Sequence, residues 1–152
     1  SVRSLTVTIR CEIVSQDRTV FAGDVDIVVL PGAAGEMGIL PKHAPVLTTL
    51  KYGVIKVRKD GKEELFVVAG GVAEVQPDIV TVLADRGSEN IQDIDVVRAE
   101  AAKKRAEEYL SKSPPADTDH YLIMEAALRR ANLRLDVVRR YRKSGMRSPS
   151  EN

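Results

Sequence analysis

The side chains able to do chemistry are few and unevenly placed. One cysteine, Cys11, and two histidines, His43 and His120, stand far apart in a sequence of 152 residues. Neither histidine has a carboxylate or cysteine beside it at metal-ligand spacing, so they do not make a metal site. Cys11 sits in an alternating apolar run with no cationic constellation around it, which is the setting of a structural thiol. A lone thiol forms no internal disulfide and fits a reducing compartment. No nucleophile-base-acid set emerges, so an enzyme is the poorest reading. Arginine, by contrast, is concentrated. Residues 126–147 hold 8 basic side chains and 1 acidic one, net +7, whereas residues 1–90 hold 10 basic and 12 acidic, net −2. That asymmetry points to an anionic partner for the C-terminal end. A nucleic acid is a poor candidate: the whole chain carries 23 basic against 22 acidic groups, and the basic segment has only Tyr121 and Tyr141 nearby as stacking surfaces.

The elements that must position these groups fall into two halves. With 43% hydrophobic and 30% charged residues the chain folds, and its length suits one ordinary domain or two small ones. From Leu5 to about Asp85 the apolar residues alternate. Leu5, Val7, Ile9, Cys11 and Ile13 share one face of a strand, and Val25, Ile27 and Val29 share another. Val54–Arg58 and Glu64–Val68 flank Asp60-Gly61, a two-residue hairpin turn, and Val72–Val75 and Ile79–Leu83 flank Gln76-Pro77-Asp78. Residues 1–90 therefore read as an antiparallel β-sandwich or flattened barrel.

Near Gln92 the period becomes helical. Asp93 and Asp95 occupy a first turn, and the helix runs to Leu110 before Ser113-Pro114-Pro115 stops it. Asp117 or Thr118 caps a second helix reaching about Lys143, with an apolar seam at Tyr121, Met124, Leu128, Ala131, Leu135 and Val138. Residues 91–143 thus form an antiparallel two-helix hairpin, Ser111–Asp117 reads as its hinge, and residues 144–152 read as a disordered tail. No stretch approaches the ~20 apolar residues of a membrane span and no secretion-signal pattern opens the sequence, so any membrane association is expected to be indirect.

Pro31–Pro45 gathers most of the glycines and prolines of the first half, and reads as a loop with several special backbone conformations. It lacks the Gly-Lys-Ser/Thr ending of a nucleotide P-loop and the Gly-x-Gly-x-x-Gly of a dinucleotide fold. The segment Pro31-Gly32-Ala33-Ala34-Gly35-Glu36-Met37-Gly38-Ile39-Leu40-Pro41-Lys42-His43-Ala44-Pro45 closely resembles the signature loop of the epsilon subunit of bacterial and chloroplast F-type ATP synthases. Gly70–Val75, Val80–Asp85 and Ile94–Ala99 match as well, in the same order, and the resemblance spans Leu5 to Lys143.

The resemblance implies a non-catalytic rotor subunit of the central stalk, coupling gamma and the ring of c subunits for ATP synthesis and hydrogen ion transport. It would lie peripherally on the cytoplasmic face of a bacterial membrane, or on the stromal face of a thylakoid. Glu36, Met37 and Gly38 match the loop that touches the c-ring, and His43 matches a position near gamma. Ile94–Ala99 matches the motif by which some bacterial epsilon subunits bind ATP. At ~100° per residue Asp95, Arg98 and Arg105 fall within an arc of roughly 80°, and Arg130 and Arg134, spaced i,i+4, share a face of the second helix. Asp95 would accept from an amino group of the base and the arginines would fork phosphate oxygens. Glu89, expected in the loop before the first helix, matches a further acidic position. No cofactor is required; ATP would be a regulatory ligand. The plain alternative is an i,i+3 ion pair between Asp95 and Arg98.

In the extended form of the family, the basic strip of Arg129, Arg130, Arg134, Arg139, Arg140, Arg142 and Lys143 would meet the alpha/beta catalytic head and restrain hydrolysis, so ATP and head compete for Arg130 and Arg134. A rival reading from another class is a free-standing small-molecule (nucleotide) binding module built on the β-sandwich, with the helices as a lid.

Overall fold

The computed structural model describes residues 7–112 and 118–142. The chain divides into two compact units, residues 1–90 and residues 91–152.

Alternation builds the first unit. β1 (Ile9–Val14) turns Ile9, Cys11 and Ile13 inward, each fully buried, and pairs antiparallel with β2 (Thr19–Val25). The strand expected from Leu5 starts at Ile9: Leu5 lies outside the described residues, and Val7 precedes the strand with 54% of its surface exposed. After Asp26 the chain enters β3 (Ile27–Gly32), where Val28 and Leu30 are buried, not Ile27 and Val29. The Asp26 carboxylate accepts the Asp60 N–H at 2.9 Å, and across this fastened corner the inward period shifts by one residue.

The segment expected as a loop is largely strand. β3 turns through Ala33-Ala34 into β4 (Gly35–Ile39), with Gly32 opposite Gly35 and Pro31 opposite Glu36. A Cβ on Gly32 would lie 2.7 Å from the Gly35 carbonyl oxygen and 3.0 Å from Met37 Sδ, so the close approach of the two strands explains that glycine.

β5 (Val46–Lys59) and β6 (Lys62–Val75) are each 14 residues long and joined at Asp60-Gly61, whose φ values of 51° and 78° make the expected hairpin turn. The separate strand expected at Val72–Val75 is the end of β6. Gly70 and Gly71 are strand residues with φ of 108° and 137°, and a Cβ on Gly71 would collide with the Leu83 carbonyl of β7 (Ile79–Ala84).

The strand order is β2-β1-β7-β6-β5-β3-β4, with the short β8 (Glu89–Asn90) on β6. β1 and β7 pair parallel, and the other pairings among the described strands are antiparallel. β2 and β6 are separated in the sheet by β1 and β7, a span of roughly 14 Å at ordinary strand spacing. Even so, the rings of Phe21 and Phe66 lie 5.4 Å apart. The sheet therefore curls back on itself as a sandwich, enclosing Ile9, Ile13, Leu30, Ile39, Ile55 and Phe66 among others.

The second unit opens with a 3-10 turn, Ile91–Asp93, and continues with α1 (Val96–Lys112), α2 (Thr118–Val137) and one π-helical turn, Val138–Arg142. Asp93 thus belongs to the 3-10 turn, not to the first turn of α1 as expected. The pair is antiparallel: Tyr109 and His120 meet edge-to-face at 4.6 Å at one end, and Arg142 reaches the carbonyls of Gln92 and Ile94 at the other. Of the expected seam, Ala131 is buried while Tyr121, Met124, Leu128, Leu135 and Val138 are half-buried. The Ser113–Asp117 part of the expected hinge, Lys143 and the expected tail lie outside the described residues.

Candidate functional site

α1 displays the expected arginines. Arg98 and Arg105 are exposed and lie two turns apart along the helix. Asp95, which precedes α1, serves the backbone. Its Oδ1 accepts the Arg98 N–H at 3.0 Å and its carbonyl accepts the Ala99 N–H at 3.0 Å, so it is the N-cap of the helix. Spacing alone suggested an ion pair with the Arg98 guanidinium; the contact in place is with the Arg98 backbone.

On α2, Arg130 and Arg134 are half-buried, and Arg134 Nη1 donates to the Arg130 carbonyl at 3.5 Å. Glu89 is not in a loop. It pairs in β8 opposite Val67 of β6, within the first unit. A groove of about 480 Å³ does run along the helical pair, lined by Val96, Glu100, Lys103, Leu135, Val138 and Arg139 among others, and none of the six expected nucleotide residues lines it.

The basic residues of the C-terminal end do not form one strip. At ~100° per residue, positions 129, 130, 134, 139 and 140 spread around most of the helix circumference. Arg129, Arg139 and Arg140 are exposed; Arg139 pairs with Asp136 at 3.4 Å, and Arg140 lies 6.0 Å from the Tyr141 ring centre. Arg142 is turned to the segment leading into α1. Nothing in the sequence signalled this, because its partners are backbone carbonyls 48 and 50 residues away.

In the first unit, Glu36, Met37 and Gly38 lie on β4, an edge strand of the sheet. Glu36 and Gly38 are exposed, while Met37 packs against the core. His43 is half-buried, and its ring Nδ1 donates to the neighbouring Ala44 carbonyl at 2.6 Å, a local contact. Cys11 is fully buried, and burial pushes its thiol up to about 12, with the Glu12 charge adding to the effect and Arg10 opposing it. Such a thiol is inert. In the β1–β2 turn the Ser15 hydroxyl donates to Asp17 Oδ1 at 2.6 Å, the main cause holding that carboxyl below its ordinary range. Among the described residues no group of three His, Cys, Asp or Glu side chains could hold a metal ion.

The sandwich also presents an outward apolar row that the alternation of single strands did not reveal. Val14, Leu83 and Val72 stand side by side across β1, β7 and β6, and Leu47 lies diagonally beyond on β5. Leu83 is 59% exposed and Leu47 70% exposed, so the row faces out from the core.

The model of the "ATP synthase, Delta/Epsilon chain, beta-sandwich domain" family matches residues 8–89, and that of the "long alpha-helix domain" of the same chain matches residues 92–139. The ATP synthase epsilon chain of Bacillus licheniformis is 46% identical over 132 residues, covering 87% of this chain and 98% of that one. The ATP synthase epsilon chain of Dehalococcoides mccartyi is 45% identical over 140 residues, covering 89% of this chain and 95% of that one. A chain in the cryo-EM structure of the Euglena gracilis mitochondrial ATP synthase shares the fold, with a TM-score of 0.61 at 21% identity over 84% of this chain and 75% of that one. With both units matched in order and relatives alike over nearly their full lengths, the chain belongs to the ATP synthase delta/epsilon chain family, as an epsilon chain.

Proposed function

We propose that this chain is a non-catalytic subunit of the central stalk in a rotary, proton-translocating ATP synthase. Its sandwich docks on gamma and the c-ring, and its helical pair restrains ATP hydrolysis. The observation that carries the docking half is the exposed apolar row of Leu47, Val72 and Leu83, since a surface of this kind on a folded sheet gains most by meeting another protein. Glu36 and Gly38, exposed on the edge strand β4, supply a second, polar contact toward the c-ring. Membrane association then comes through the complex; no helix among the described residues is long and apolar enough to cross a membrane. Mixing the full chain with purified gamma tests this. A stoichiometric complex is expected, weakened at least about tenfold by Leu83→Asp, and no complex at micromolar concentration would end the docking reading.

A regulatory ATP is the second part of the proposal. Arg98 and Arg105 on α1, with Arg130 and Arg134 on α2, offer guanidinium forks to phosphate oxygens, and Asp95 keeps one carboxylate oxygen for an amino donor beyond the one used in capping. Bound nucleotide would favour the folded pair and withhold its arginines from the alpha/beta head.

A further inference from the structure

We infer that Arg142 is a clasp that holds the open end of the helical pair shut and sets how often the two helices part. α1 and α2 are joined covalently only where Lys112 leads to Thr118, so separation begins at the other end, where the start of α1 lies beside the last described turn. There the Arg142 guanidinium donates from Nη1 to the Ile94 carbonyl at 2.8 Å and from Nη2 to the Gln92 carbonyl at 3.1 Å. A planar fork reaches two carbonyls from two fixed nitrogens, whereas an ammonium offers all its donors from a single nitrogen on a shorter reach.

The Ile94 carbonyl needs such a donor because of its neighbour. In a continuous α-helix it would accept the Arg98 N–H four residues on. That N–H is taken by the Asp95 side chain at 3.0 Å. Capping of α1 therefore leaves an acceptor on a residue only 3% exposed, and Arg142 satisfies it. The cap and the clasp are two parts of one arrangement.

The seam between the helices gives the clasp weight. The buried residues of α1 are Ala99 and Ala106, and α2 adds Ala131 and Val137. Alanines remove little apolar surface from water, and at this end, where Ile91, Ile94 and Val137 are buried and Leu135 and Val138 half-buried, the two charge-assisted hydrogen bonds add a directional fastening to the apolar contact. Any regulatory consequence rests on the proposed restraint of hydrolysis, but the clasp is measurable on the isolated chain, so the two ideas fail separately.

The test is hydrogen–deuterium exchange on the full chain, comparing wild type with Arg142→Gln, Arg142→Lys and Arg139→Gln. Amides at the start of α1 and the end of α2 are expected to exchange at least about tenfold faster in Arg142→Gln, with Arg142→Lys between it and wild type, because the lost hydrogen bonds come from a charged donor. Arg139→Gln, which removes only an exposed pair with Asp136, is expected to match wild type. Sandwich amides serve as the control for overall folding. Exchange in Arg142→Gln no faster than in Arg139→Gln, or Arg142→Lys identical to wild type, would overturn the clasp.

Discussion

The Asp95 carboxylate accepts a hydrogen bond from the backbone N–H of Arg98 at 3.0 Å. Two residues that read as an acid–base pair on one helix face are thus joined through the main chain, and the guanidinium is left to project into solvent. The cap fixes where α1 begins, and with it where Arg98 and Arg105 point.

Removing that cap has a defined cost. Asp95→Ala is expected to destabilise the helical unit by about 1 kcal/mol, and Asp95→Asn by only a few tenths, since asparagine caps nearly as well. Thermal unfolding followed by circular dichroism distinguishes them; equal losses would show that the acidic charge matters and the cap does not.

How much of this was legible in the sequence depends on the range of the signal. The Asp60-Gly61 turn and the inward set Ile9, Cys11 and Ile13 were readable because turn chemistry and alternation are local. The corner at Asp26 was not, since it is fastened by Asp60, 34 residues away. The continuation of β6 through Gly71 was not legible either, because the reason for that glycine is the Leu83 carbonyl of β7, a tertiary fact. The arginines of α1 and α2 could be found by spacing and likeness. The engagement of Arg142 with backbone carbonyls could not, because a carbonyl has no sequence signature.

Gly71 tests the sheet most sharply. Gly71→Ala combines a φ of 137° with a collision against the Leu83 carbonyl, so a loss of about 3 kcal/mol or more is expected in denaturant unfolding. A loss below about 1 kcal/mol would mean that β6 and β7 separate more easily than their register suggests.

Cys11 gives a pH dependence with a definite sign. Its thiol is raised from 9.0 to about 12 in the folded chain, so between those values the unfolded chain loses its proton first. The unfolded state then binds fewer protons, and stability falls as pH rises above about 9. Cys11→Ser or Cys11→Ala should flatten this slope. Alkylation of native protein at pH 8 should proceed only as fast as the sandwich opens, and rapid labelling under native conditions would contradict the buried placement.

Nucleotide binding is checked by calorimetric titration of the full chain with ATP. Measurable heat is expected for wild type, with affinity lowered at least about tenfold in Arg98→Ala and Arg130→Ala as a charged phosphate contact is lost. Absence of heat at millimolar ATP would remove the sensing part of the proposal while leaving the docking part standing.

The stalk and brake roles meet in ATP hydrolysis by the assembled synthase carrying either the full chain or one lacking residues 126–147. The full chain is expected to enter the complex and hold hydrolysis down, and the shortened chain to remain bound through its sandwich while hydrolysis rises. A chain that does not enter the complex, or hydrolysis unchanged by the deletion, would contradict the account.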